Sequence, residues 1–446
     1  MRCRYSGRLF WAAKELIVVF ALAGVSLLPA KAFPEAPLSP PARGTDEVDG
    51  GASAEILPAL IAEAIRDSPL IIAARRRWQA DTKLPVQEST PPDPEISFQN
   101  LAAGNAIPGN DLQTNNFAYF GYGFSQEIPY PGKLRLRATV AEKDVEAARA
   151  DHETQTRQVI EQVSETYFNL FYLARTLDLL QQTSREFQGV ERSTESQYQV
   201  GMAQQQDVLK AQLEMTTILK EIETAREEFG QGQADLKAIL GREPDSPDIR
   251  IGGVKLTAFN ISSGDLRKLA LGGSPRLKAA EAMEAKAEQS LKLAREGYIP
   301  DLSVAYMYQK TGARFPDYYM ATVGVKIPLW FWRKQTPAVE QADLEKSSAR
   351  AQAYATRLSV LSQAQNQWIA IQSTGRIAQL FADGLIPQAQ ATLASAMATY
   401  RVGKIDFQTL LSAEIDLLSL RQQYYRTLAD HEIAVAKIQQ IIGSVR

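Results

Sequence analysis

Scarcity narrows the possibilities first. Of 446 residues one is a cysteine, Cys3, and two are histidines, His152 and His431. A disulfide framework is therefore excluded, and so is a zinc site with the usual Cys/His ligand spacing. Charge of one sign is also lacking, with 49 Lys+Arg against 51 Asp+Glu. Phosphate-backbone binding wants a concentrated basic surface, so nucleic acid is not an expected partner. No nucleophile elbow and no phosphate-binding glycine loop occur, and the paired carboxylates sit in runs with Lys and Arg. We expect no enzyme, no cofactor and no metal site.

Long apolar runs are equally rare. The single candidate is Leu16 to Leu28, preceded by Arg2, Arg4, Arg8 and Lys14 and followed by Ala30-Lys31-Ala32. That core is short for a spanning helix but fits a secretory signal with a small-x-small cleavage site. Residues 1–32 are therefore expected to be removed, taking Cys3 with them and leaving 44 basic against 50 acidic side chains. Residues 33–53, rich in Pro and Gly, read as a flexible leader.

What the chain has instead is length of helix, written twice. From Val208, small or apolar residues recur at Ala211, Met215, Ile218, Ile222, Ala225, Phe229, Gly232, Leu236 and Ile239. The steps alternate between three and four, a heptad seam. Just before it stands Tyr198-Gln199-Val200-Gly201. Two hundred and two residues later, Tyr400-Arg401-Val402-Gly403 opens a second such helix, with Leu410, Ala413, Leu417, Leu420, Tyr424, Thr427 and His431 on its seam. A pattern recurring at fixed offset marks an internal duplication.

The remaining segments fit two copies, 54–241 and 265–442, joined by a linker at 242–264. Each begins with a short helical stretch broken at Ser-Pro, Ser68-Pro69 and Ser274-Pro275. Two alternating segments follow in each, at 95–103 and 117–127, then at 301–310 and 317–327, read as strands. Their lengths suit tilted strands crossing a bilayer, and Tyr130, Trp330 and Trp332 stand at their ends as interface aromatics would. Long helices follow at about 133–188 and 332–382, with Gly189, Gly384 and Pro387 as expected breaks, and return helices at about 202–240 and 404–442. Four strands cannot close a membrane barrel alone, so several chains must share one. The alternative reading is a periplasmic coiled-coil scaffold or adaptor whose hairpins stay in water.

The duplicated plan, the Tyr-x-x-Gly-x-x-x-x-x-Asp-Val-Leu tip ending at Leu209, and the hairpin-Pro-helix junctions resemble the TolC family of outer-membrane efflux channels. The resemblance implies a mainly α fold with a small β part. It implies a homotrimer with a 12-stranded β-barrel in outer-membrane lipid, continued by a 12-helix periplasmic α-barrel. It also implies a tripartite efflux system, in which this passive duct meets a periplasmic adaptor (membrane fusion) protein and an inner-membrane pump of the resistance-nodulation-division type. Gln126-Glu127-Ile128-Pro129-Tyr130-Pro131-Gly132-Lys133, Leu385-Ile386-Pro387-Gln388-Ala389 and Gly403-Lys404-Ile405-Asp406-Phe407 are similar to the cobalt–zinc–cadmium resistance branch, implying heavy-metal cations as cargo. Organic solutes or secreted protein are the alternative cargo.

By the same resemblance Tyr198, Gly201, Tyr400 and Gly403 lie at the periplasmic tip, where an adaptor docks; a plain helix–helix turn would use the same glycines. Asp207 matches the tip's acidic position and is a candidate for a cation-favouring gate. Helix capping is its alternative role. The second copy has Thr409 and Ser412 where acids would be sought, so its gate acid would be Asp406 or Glu414. His431, on the seam, is expected to be a packed interhelical residue, and His152 to lie on a polar face beside Asp151 and Glu153.

Overall fold

A computed structural model describes residues 57–443, apart from 102–106, 108–111, 113–117, 202 and 313–314. The signal and leader segments, and most of the first hairpin's loop, lie outside these residues.

Helices α1 (Leu57–Asp67), α2 (Pro69–Asp81) and α3 (Leu84–Ser89) lead into strands β1 (Glu95–Leu101) and β2 (Tyr119–Ile128). Two long helices follow, α4 (Pro131–Gln199) and α5 (Gln205–Leu240). The order then repeats: α6 (Ser263–Gly273), α7 (Pro275–Glu296), β3 (Asp301–Thr311), β4 (Tyr318–Lys326), α8 (Gln335–Leu380), α9 (Ile386–Arg401) and α10 (Phe407–Ile442). Pro69 and Pro275 each occupy the first turn of a helix, where a missing N–H costs nothing. Helix α3 has no counterpart in the sequence reading.

Of the expected breaks in the long helices, the one at Gly189 does not occur, and the one at Gly384 and Pro387 takes the form of a π-turn. Helix α4 runs straight through Gly189, whose absent side chain would meet open space. One glycine costs about 1 kcal/mol of helix propensity, which 69 packed residues absorb. At Gly384 and Pro387 the helix widens instead of ending: residues 381–385 form one π-turn, and α9 continues from it. The wider turn takes up the ring that would otherwise clash with the preceding carbonyls. At 1.5 Å per residue α4 alone is about 100 Å long.

The seam on α5 packs as its spacing predicts. Ala211, Met215, Ile218, Ile222 and Ala225 are buried with Leu180 and Phe187 of α4 and with Phe407 and Leu411 of α10. A second cluster gathers Val159, Val163, Tyr167 and Leu170 of α4, Leu236 and Leu240 of α5, and Leu60 and Ala64 of α1. The core is thus a series of narrow clusters strung along helices, with no single deep centre.

All four strands form one antiparallel sheet in the order β1-β2-β3-β4. Among the described residues β1 and β4 have no strand on their outer edges. Register gives the two faces different character, although Lys310 and Gln126 share the first and Tyr119, Met307, Tyr318 and Met320 the second. One carries Ile96, Phe98, Tyr122, Phe124, Leu302, Val304, Tyr306, Val323 and Val325. The other carries Ser97, Gly121, Gly123, Ser125, Ser303, Ala305, Thr322 and Gly324. Across the first face runs a row of rings, Phe98, Tyr122, Tyr308 and Tyr319, at successive centroid separations of 5.4, 6.5 and 5.2 Å. On the other face a Cβ at Gly123 would lie 2.4 Å from Ser97 Oγ, and one at Gly324 2.5 Å from Ser303 Oγ.

Sheet and helices are tied where the halves meet. Lys133, near the start of α4, donates to Asp301 Oδ1 at 2.7 Å and to the Ile299 carbonyl at 2.7 Å. The same Asp301 oxygen accepts the Tyr130 N–H at 3.0 Å.

Candidate docking tip and gate

The described glycines with left-handed backbone fall into two pairs. Gly201 and Gly403 have φ of 76° and 70°; Gly241 and Gly443 have 78° and 79°. Each pair keeps the offset of 202 read from the sequence. The first pair reverses the chain between α4 and α5 and between α9 and α10; the second ends α5 and α10.

The Tyr-x-x-Gly pattern has a backbone cause. Gly201 N–H donates to the Tyr198 carbonyl and Gly403 N–H to the Tyr400 carbonyl, both at 2.9 Å. Lys404 N–H reaches back to the Thr399 carbonyl at 3.1 Å, completing a Schellman stop that needs glycine at its left-handed position. The tyrosine side chains are then free to differ, and they do. Tyr198 is exposed, whereas Tyr400 is half-buried, packs on Phe407 and donates its hydroxyl to Gln197 Oε1 at 3.1 Å. That bond ties one hairpin to the other. Val200 and Val402 are both about two-thirds exposed, at 67% and 65%. Both turns therefore present an apolar residue beside a glycine with open space around it.

The two candidate gate acids are helix caps, placed in opposite ways. In α5 the cap residue is Gln204; its backbone N–H donates to Asp207 Oδ2 at 3.2 Å, and its side chain accepts from the Asp207 N–H. In α10 the cap residue is Asp406, whose Oδ1 accepts the Thr409 N–H at 3.0 Å and the Thr409 hydroxyl. The offset matches Gln204 to Asp406 and Asp207 to Thr409, so the acid has moved from the third helical position to the cap. Both turns keep one carboxylate against the helix N-terminus. The Thr409 hydroxyl, with its N–H, holds the Asp406 carboxyl below its ordinary range. Of the two acids read for the second copy, Asp406 stands at the turn itself.

Glu414 is no part of an exposed ring. It is 8% exposed on α10. Burial raises its pKa, and the neighbouring Glu186 of α4 raises it further against the pull of Arg421. His431 is 3% exposed, its Nδ1 3.1 Å from Thr374 Oγ1 and its Nε2 3.0 Å from the Thr257 carbonyl. It packs between helix and linker, as its seam position implies. His152 is not on a polar face: it stacks on Trp78 at 5.8 Å, and burial lowers its pKa. Among the described residues no group of three His, Cys, Asp or Glu is placed to hold a metal ion.

Sequence reasoning missed Gln197, Thr409 as a cap partner, and the Lys133–Asp301 tie. Thr409 carries a sequence signal, standing three residues after the capping Asp406, whereas Gln197 meets Tyr400 from 203 residues away and carries none. The third joins residues 168 apart and carries none.

A two-faced sheet, with no strand on its outer edges among the described residues, is continued by paired helices that turn at matched tips. The sequence model of the outer membrane efflux protein family matches residues 60–242 and 266–444, and the chain belongs to that family. Membership places it in the outer membrane. The chain is 24% identical to the pyoverdine export outer membrane protein OpmQ of Pseudomonas putida over 394 residues, covering 84% of this chain and 82% of that one. It is 21% identical to the outer membrane protein TolC of Vibrio cholerae over 409 residues, covering 88% and 91%. Its fold is similar to that of VceC from Vibrio cholerae, with a TM-score of 0.73 at 18% identity, over 87% of this chain and 96% of that one. It is similar to CusC as well, with a TM-score of 0.75 at 18% identity, over 87% and 92%.

Proposed function

We propose that three copies of this chain form the passive exit duct of a tripartite efflux system. The sheet carries the reading. Its ring-bearing face suits lipid, its serine- and glycine-rich face suits a water-filled lumen, and its open edges would each leave unpaired backbone groups in hydrocarbon at several kcal/mol apiece. Three four-stranded sheets joined edge to edge give twelve strands with none left open. No described helix is long and apolar enough to cross a membrane, so the long helices continue the barrel into the periplasm. Residues 54–241 and 265–442 are two copies of one unit joined by 242–264, a division supported by the paired glycines.

At the far end, Tyr198, Gly201, Tyr400 and Gly403 form the docking surface for a periplasmic adaptor, which links the duct to an inner-membrane pump of the resistance-nodulation-division type. Asp207 and Asp406 would contribute six carboxylates per trimer to a cation-favouring entrance. The cargo is heavy-metal cations, on the motifs shared with the cobalt–zinc–cadmium branch. A relative named for pyoverdine export favours the second reading, an organic cargo.

The duct is tested by reconstitution: detergent-extracted protein should conduct in a planar bilayer, and a water-soluble, non-conducting protein would refute it. Deleting the gene and screening metal ions against organic toxins tests the cargo. Loss of tolerance to organic compounds alone would reject metals. Gly201→Trp or Gly403→Trp should leave trimers intact and abolish efflux; normal efflux from both would remove the docking role.

A further inference from the structure

The two junctions between sheet and long helix are built from different chemistry. In the first, Pro129-Tyr130-Pro131-Gly132-Lys133 offers one exposed aromatic, and its lysine is buried against Asp301. In the second, Ile327, Leu329, Trp330, Phe331 and Trp332 are all exposed, Trp330 by 67%. Arg333 and Lys334 follow at once, both exposed and without an ion-pair partner among the described residues. The turn is ordered, not frayed. Arg333 N–H and Lys334 N–H both donate to the Trp330 carbonyl, at 3.0 and 3.1 Å, and Thr336 N–H donates to the Phe331 carbonyl at 2.8 Å. Ring contacts of 5.7 Å between Trp330 and Trp332, and of 5.2 Å between Phe331 and Trp332, make the three aromatics one wedge.

Three observations choose the occupant. The wedge continues the apolar face of the sheet, through Val323 and Val325 to Ile327. It stands where strands give way to helix, so it is at the periplasmic edge of the membrane. Its tip carries two unpaired cations beside indole N–H groups, which suits a ring bedded in hydrocarbon with a phosphate at the water boundary. A peptide partner would offer no reason for cations at the rim of a lipid-facing surface.

We propose that residues 327–334 bind an anionic glycerophospholipid of the periplasmic leaflet. Trp330, Phe331 and Trp332 lie among its acyl chains, and Arg333 and Lys334 hold its phosphate. The site rests on the outer-membrane reading, and it occurs once per chain because the first junction, with Tyr130 as its one exposed aromatic, has no matching wedge of rings. Each cation near an anionic surface adds to local enrichment, and two together give a preference over zwitterionic lipid of about tenfold or more.

The test uses the full chain in phosphatidylcholine vesicles containing a minor share of phosphatidylglycerol, with one or the other lipid brominated. The signal is the tryptophan fluorescence lost in Trp330→Phe/Trp332→Phe. Quenching per mole should be about tenfold stronger with brominated phosphatidylglycerol. The Arg333→Gln/Lys334→Gln variant should erase that preference while insertion and conductance persist. Equal quenching by both lipids in a chain that inserts and conducts overturns the lipid site and leaves the duct standing. Relief of the preference by excess glycerol phosphate would make the site one for free phosphate and overturn the lipid assignment. Failure of the native chain to insert at all overturns the outer-membrane reading and the site with it.

Discussion

Replacing Lys133 by methionine isolates the tie between the two halves. The side chain keeps its length and its packing, and only the ammonium is lost. Lys133 and Asp301 are 10% and 23% exposed at their side chains and meet at 2.7 Å. Breaking a fully buried pair by removing one partner costs about 3–5 kcal/mol, because the other charge stays behind unpaired. Here Asp301 keeps the Tyr130 N–H and some water, so about 2–3 kcal/mol is expected. The Ile299 carbonyl loses its donor as well, which the same figure includes. Asp301→Leu alone should cost a similar amount, since it strands the lysine. The double variant should cost much less than the sum of the two, with a coupling of about 1–3 kcal/mol. Thermal loss of helical circular dichroism in detergent, measured side by side, reads all four proteins. Additivity within about 0.5 kcal/mol would refute the coupling, and an unchanged midpoint in Lys133→Met would refute the tie itself.

Other substitutions probe the turns and the buried acid. Gly201→Ala and Gly241→Ala share the same left-handed strain, about 1–2 kcal/mol, but only at Gly241 would the new Cβ lie 3.0 Å from a backbone oxygen, that of Asp67. Gly241→Ala should therefore lower the thermal midpoint clearly further; equal midpoints would contradict the packing. Asp207→Asn should weaken single-channel cation preference, and an unchanged preference would count against a gate carboxylate there. Asp406→Ala should cost about 1 kcal/mol of stability through the lost cap, while Asp406→Asn should cost less. Because the Glu414 pKa is raised on folding, its contribution to stability is full below the unfolded value near 4.5 and is lost as pH rises through the folded value. Glu414→Gln should thus stabilise the chain at neutral pH and flatten that part of the pH profile; a parallel profile would show that folding does not raise the Glu414 pKa.

The helical seams were legible because burial follows a period of 3.5, and five consecutive seam residues from Ala211 to Ala225 are indeed buried. The strands were legible from alternation, and their register gathers Phe98, Tyr122, Tyr308 and Tyr319 on one face and Gly121, Gly123 and Gly324 on the other. Gly384 and Pro387 do mark an interruption of the α-helix, whereas Gly189 does not, because long-range packing outweighs the local propensity of one glycine. At the second tip the acid, Asp406, stands at the cap, where the first tip has Gln204. A cap satisfies the helix N-terminus from either end of its first turn, so Gln204 with Asp207 and Asp406 with Thr409 are interchangeable solutions. Pairs such as Lys133 with Asp301, or Tyr400 with Gln197, depend on which helices become neighbours, and no local pattern announces that.

The unpaired outer edges of β1 and β4 bear on heredity as well as on assembly. If three chains share one sheet, as proposed, it has no halfway version in the membrane, so a defective copy that still pairs its edges is built in rather than discarded. In a cell making normal and defective chains equally, only about one assembly in eight would be wholly normal. Substitutions at the tips, far from the sheet, should therefore behave as dominant in a mixed population. Substitutions that spoil β1 or β4 should instead be recessive, because their products never join.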